Sequence, residues 1–172
     1  NLQNNLNNIH IWSKQNNMEL NNKKFEMISF TLNSHNDRNK LLQELPFSKQ
    51  FNEYKLPDDS YITTSAAVRD LGVTVDQELN WDLHRFNISK KARRMSAWIL
   101  NTFYTREEKL MMTIFKSLVR PLLENCCEVW LPYKKKDIAQ VEAIQRSFTS
   151  KIASVKSLDY HQRLEQLKTS PL

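Results

Sequence analysis

The residues best suited to chemistry in this 172-residue chain are cations. Lys90, Lys91, Arg93 and Arg94 fall within five positions, and Arg85, Arg106, Lys109, Lys116 and Arg120 flank them. Against these nine stand only Glu107 and Glu108. Residues 85–120 therefore carry +7, and with a net charge of +6 the rest of the chain sums to about −1. An excess confined to one segment points to a polyanion, because ammonium and guanidinium groups displace the counterions condensed on phosphates. Such contacts position a nucleic acid without reading its bases. A basic run is also ordinary for a solvated helix face, and the local +7 favours binding. Other chemistries find little support. The only Asp-Asp pair, Asp58-Asp59, follows Pro57 and reads as a solvated turn. His10, His35, His84 and His161 are scattered, Cys126 and Cys127 are adjacent, and no pair has metal-ligand spacing. With Gly72 as the only glycine, no phosphate-cradling glycine loop can be assembled, and no Ser-His-Asp arrangement is visible.

The cations sit where the apolar period is helical. Ile88, Ala92, Met95, Ile99 and Phe103 form one stripe, which leaves Lys90, Lys91, Arg93 and Arg94 off it. Trp98 could stack on a base, but it falls near the stripe and is expected in the core. Leu110, Ile114, Leu118 and Leu122 make a second stripe, with Pro121 breaking or restarting the helix. Asp137 is expected to cap a third helix with the face Ile138, Val141, Ile144, Phe148, Ile152 and Val155. Tyr160 to Leu167 reads as a short last helix. Trp130, Pro132, Tyr133 and the two cysteines are expected to pack this half, and His84 to hydrogen-bond exposed backbone at a helix start.

The first half reads differently. Leu2, Leu6, Ile9 and Trp12 trace a helical stripe, and Phe25 to Leu32 alternates like a half-buried strand. Asn33 to Asn39 is a polar loop, and Lys40 to Asn52 has room for a short helix. Pro57-Asp58-Asp59 is the turn of a hairpin between Tyr54-Lys55-Leu56 and Ser60-Tyr61-Ile62-Thr63. Val68 to Val75 reads as a strand in which Gly72 marks a bulge or a close backbone approach. The fold class expected is α+β: a β-containing part over residues 1–80, then an all-helical part over 81–172.

Composition bounds the rest. A 40% hydrophobic and 10% aromatic content supports a packed core. No run of about 18 apolar residues occurs, which argues against a helical membrane span. Two adjacent cysteines suit a reducing, intracellular setting, cytoplasm or nucleus. The start, Asn1-Leu2-Gln3-Asn4-Asn5, has neither Met nor signal peptide, and a fragment or processed product is expected.

A set of ordered phrases adds a resemblance. Trp12-x5-Met18-x-Leu20-Asn21-x-x-Lys24 comes first, then Arg69-Asp70-Leu71-Gly72-Val73-x-Val75 and Leu79-x-Trp81-x-x-His84. Lys91-Ala92-x-Arg94, Phe103 and Leu118-Val119-Arg120-Pro121-Leu122-Leu123-Glu124-x-Cys126 follow. Val129-Trp130-x-Pro132-Tyr133, Asp137-Ile138, Glu142-x-Ile144-Gln145-Arg146 and Tyr160-x-x-Arg163-Leu164-x-x-Leu167 complete the series. In this order they resemble the C-terminal part of the reverse transcriptase of LINE-type, non-LTR retrotransposons, of the jockey-like group.

The resemblance implies the end of a palm, then a helical thumb and connector. It implies that the Leu71-Gly72-Val73 turn belongs to a primer-grip-like hairpin and holds the primer's 3′ end through backbone contacts, where a glycine permits close approach. Lys24 takes the position of a general acid that protonates the departing pyrophosphate in the intact enzyme. Lys90, Lys91, Arg93 and Arg94 lie on a thumb helix laid along a primer–template duplex of RNA and DNA. The implied partners are that duplex and the upstream fingers and palm of the same polyprotein. Mg2+ belongs to the intact enzyme and not to this chain, because the family's aromatic-Ala-Asp-Asp motif lies upstream of the position matching Asn1. The chain alone is expected not to polymerise, and Ser170-Pro171-Leu172 is expected to be a cut end. Three roles stay open: a polymerase fragment, a non-catalytic nucleic-acid-binding module, and a non-functional transposon remnant.

Overall fold

The computed structural model describes residues 2–30 and 54–172, which divide into two compact units, Asn1–Asn80 and Trp81–Leu172. The expected loop Asn33 to Asn39 and the segment Lys40 to Asn52 lie outside the described residues. Short strands occupy the first unit and helices dominate the second.

The first unit opens with helix α1 (Leu2–Gln15), which buries a different face from the one expected. Leu2, Ile9 and Trp12 are exposed, whereas His10 and Ser13 are buried. The Phe25 ring stacks on His10 with centroids 5.6 Å apart, so the neighbour available to this helix covers its polar side. Periodicity locates a stripe; what lies opposite decides whether it is covered. A 3-10 turn (Asn22–Lys24) follows, held by the Asn21 side chain accepting from the Lys23 N–H at 3.1 Å. The strand expected from Phe25 shrinks to β1 (Glu26–Met27), paired in parallel with β2 (Thr63–Thr64). A partner of two residues supplies ladder bonds for no more than two, so Ile28 to Phe30 stay outside any strand.

The turn at Pro57-Asp58-Asp59 forms as expected. The Leu56 N–H donates to Ser60 O at 2.8 Å, and the Ile62 N–H to Tyr54 O at 3.0 Å. Further on, the expected single strand around Gly72 is a hairpin of β3 (Ala67–Asp70) and β4 (Val73–Asp76), antiparallel with Val68 opposite Val75. Leu71 and Gly72 make its two-residue turn with φ of 46° and 91°. Positive φ at both central residues is the type I′ signature, whose twist matches the flanking strands. Gly72 thus serves a reversal of the chain and not a bulge within one strand.

The second unit is built on α2 (Asp82–Thr102), twenty-one residues free of glycine and proline and about 30 Å long. Ile88, Ala92 and Ile99 are buried as expected; Met95 and Phe103 are half-buried. Ser89, Ala92 and Ser96 keep the buried face small, so its neighbours pack close. Those neighbours include α4 (Arg120–Glu124) and α6 (Lys135–Thr149). Between α2 and α4 lie α3 (Glu108–Ile114) and a π-helical turn (Phe115–Val119).

That π turn corrects the second stripe. Leu110 and Leu118 are exposed, and the core side is Met111, Met112, Phe115, Val119 and Leu123. The Arg120 N–H reaches back five residues to Phe115 O. Pro121 follows at once; it has no N–H, and its ring crowds the carbonyl of Ser117 in a regular α turn. The wider turn holds a strict four-residue spacing on one face, where a plain α-helix would let it drift.

Phe115 meets Phe148 of α6 with ring centroids 4.7 Å apart at the centre of this core. Val141, Ile144, Ile152 and Val155 are buried beside them, while Ile138 is exposed. Trp130, in the short α5 (Cys127–Trp130), is buried and donates its Nε1 hydrogen to Asn125 O at 2.9 Å. Cys126 and Cys127 are half-buried free thiols. Tyr133, expected to pack, is exposed instead. The last helix, α7 (Tyr160–Gln166), starts at a capping box in which Asp159 and Gln162 exchange side-chain bonds of 3.0 and 3.2 Å. After it the chain returns to the helices. Gln145 Nε2 donates to Ser170 O at 2.9 Å, and the Leu172 N–H to the Glu142 carboxylate at 2.8 Å.

Candidate nucleic-acid interface

Three of the nine cations in the basic segment are consumed inside the second unit. Arg85 is 5% exposed, and its guanidinium bonds Asp82 and lies 3.2 Å from Asp137 of α6. Asp137 is therefore the inward half of an ion pair and not a helix cap; the residue before the helix, Lys134, makes no side-chain cap bond. Arg106 turns inward to the carbonyls of Leu100, Phe103 and Thr105. Arg120 bonds Glu124 at 2.6 Å and reaches Thr169 and Ser170. A fork of five donors suits such carbonyl and carboxylate clusters, which explains why all three are arginines.

The six that remain are Lys90, Lys91, Arg93, Arg94, Lys109 and Lys116, all exposed. On α2 the helical period sends Lys90, Arg93 and Arg94 to the side opposite Ile88, Ala92 and Ile99, with Lys91 on the flank. Among the described residues no carboxylate pairs with any of these four. Their charge is therefore directed at solvent.

Two aromatics border this face, Phe86 on one side and Trp98 on the Lys91 flank. Trp98, expected in the core, is 54% exposed, and Phe86 is 56% exposed. Phe86, Lys90, Arg94 and Trp98 recur every fourth residue and so form one continuous row. Phe86 stands outside the apolar stripe, and the four-residue spacing through Lys90 is the sequence signal that marks it. Where the row ends, Asn101 opens onto a cleft of about 370 Å³ that also presents Lys151 and Lys156. The whole second unit holds 17 basic and nine acidic residues, a net +8, against eight basic and ten acidic, a net −2, in the first.

The other expected site residues lie in the first unit, on separate elements. Lys24 is exposed at the end of the 3-10 turn, its N–H donating to Asn21 O at 3.0 Å. Gly72 is exposed at the hairpin tip beside Leu71, which is 89% exposed. His84 is buried edge-on against Trp130, centroids 5.2 Å apart.

Among the described residues no three His, Cys, Asp or Glu side chains are grouped to hold a metal. Of the one Asp-Asp pair, Asp58 is committed to its turn. It accepts from Ser60 Oγ at 2.5 Å, from the Ser60 N–H at 3.1 Å and from Asn22 at 2.8 Å, and these bonds hold its carboxyl at about 2. No helix of the described residues is long and apolar enough to cross a membrane.

Comparison with known proteins finds an uncharacterized protein of Caenorhabditis elegans, 28% identical over 102 residues. The match covers 58% of this chain and 52% of that protein, so the chain spans about half of its relative's length. No protein-family model matches, and no solved structure does.

Proposed function

We propose that this chain grips nucleic acid through the outward face of α2, as part of an RNA-directed DNA polymerase of the non-LTR retrotransposon type. One observation carries the binding: Lys90, Lys91, Arg93 and Arg94 are exposed on a helix whose described surroundings offer them no carboxylate. The ordered phrases from Trp12 to Leu167 support the polymerase origin. In this reading α2 lies along a primer–template duplex and neutralises phosphates without selecting bases. The tip of the β3–β4 hairpin, with Gly72, meets the primer strand, and Lys24 serves proton donation in the intact enzyme. No metal step is assigned to this chain.

The test is a fluorescence-anisotropy titration of labelled primer–template duplex with the full chain. Changing Lys90, Lys91, Arg93 and Arg94 to glutamine together should weaken binding strongly while the circular-dichroism spectrum stays unchanged, since exposed charges contribute less than about 1 kcal/mol each to stability. The control is a triple glutamine variant at Lys134, Lys135 and Lys136, an exposed basic run at the start of α6. It should weaken binding much less. Equal losses in both variants would reduce the effect to net charge and remove the interface.

A further inference from the structure

The row Phe86, Lys90, Arg94 and Trp98 is more than a phosphate contact. A face that only neutralised a duplex backbone would have no use for two large rings held half in water. Each exposed ring leaves apolar surface uncovered beside a run of cations. Here they bracket the cations. Phe86 and Trp98 are twelve residues apart on one unbroken helix, about 18 Å of rise. Lys90 and Arg94 complete the row between them, and Arg93 lies beside it.

We infer that this row binds unpaired nucleotides: bases stack on Phe86 and Trp98 while Lys90, Arg93 and Arg94 hold the phosphates between them. The chemistry is that of single-strand binders, in which a basic track follows the backbone and aromatic faces accept any base. At roughly 3.4 Å per nucleotide in a stacked strand, the axial rise from Phe86 to Trp98 corresponds to about five steps. A closed duplex could not use both rings, because its bases are already stacked on one another and its edges alone are accessible. A duplex can therefore engage only the cations of this face, and the ligand that uses the whole row is a single-stranded stretch of RNA or DNA, whether free or running off the end of a duplex. This inference rests on the binding reading above and adds which strand state the face prefers.

The experiment compares three labelled ligands on the full chain: an oligothymidylate single strand, a blunt duplex, and the same duplex with a single-stranded overhang. The variants are Phe86→Ala, Trp98→Ala, their combination, and Trp98→Phe, all at exposed positions. Each alanine change should lower affinity for the single strand and the overhang by about tenfold, within the range of about 5- to 150-fold that follows from aromatic stacking energies. Blunt-duplex affinity and the salt slope should not change. Trp98→Phe should recover most of the loss. It should also remove part of the tryptophan quenching seen on adding oligothymidylate, because Trp12, Trp81 and Trp130 remain as a constant background.

If the alanine variants bind single strand normally while the quadruple glutamine variant does not, the stacking inference is wrong and the binding reading stands. Equal losses on single strand and blunt duplex would overturn the preference. If neither set of substitutions matters, both readings fall together. A dimer that the alanine changes dissociate would assign the rings to a second copy of the chain and also overturn the inference.

Discussion

Arg85 and Lys90 are five positions apart, belong to the same basic segment, and have opposite fates. Arg85 is enclosed with Asp82 and Asp137, where its charge ties α2 to α6; Lys90 faces water. Sequence distinguishes the two poorly, because charge is a property of the residue and burial a property of what packs against it. The long-range partner Asp137 lies 52 positions away and reads locally as a helix cap. The structural role predicts a measurable cost. Asp137→Ala leaves a buried guanidinium with only the exposed Asp82, and should destabilise the chain by about 3 kcal/mol in urea unfolding, near the lower end of what breaking a buried pair costs. Lys90→Ala should change stability by less than about 0.5 kcal/mol. A loss under about 1 kcal/mol for Asp137→Ala would show that the pair is dispensable.

At the scale of elements, helices were legible and their facing was only partly so. The stripe of α2 was readable because Ile88, Ala92 and Ile99 follow the α period with no interruption. The next stripe was displaced by one residue, since Leu110, Ile114 and Leu118 share their four-residue spacing with Met111, Phe115 and Val119. Two equal patterns cannot be ranked without the π turn that Pro121 favours. Energetics should rank them. Met111→Ala should cost about 2–5 kcal/mol, the range for emptying a packed core position. Leu110→Ala, at an exposed site, should stay within about 0.5 kcal/mol. Reversed costs in chemical unfolding would return the core to the original stripe. In α1 the failure has another cause: Leu2, Ile9 and Trp12 do form a stripe, but His10 on Phe25 fixes the covered side. The Gly72 hairpin was legible through the resemblance, which makes Leu71-Gly72-Val73 a turn; the residues alone read as one strand, because leucine rarely takes positive φ.

Across the whole molecule charge is divided unevenly, +8 over Trp81–Leu172 and −2 over Asn1–Asn80. The sequence made the excess visible, while three inward arginines and the two bracketing rings came only with the fold. What remains outward is six cations of the segment from Arg85 to Arg120, four of them on α2. The central claim is that these touch phosphates, and the salt dependence of binding reads that number directly. If roughly four to six phosphates are neutralised, the logarithm of duplex affinity should fall against the logarithm of salt with a slope of about −4 to −5. In the variant with glutamine at positions 90, 91, 93 and 94 the slope should flatten by about two to four units, as each lost contact removes about one. A slope that the four substitutions leave unchanged would contradict the account, and the outward face of α2 would be only a solvated surface.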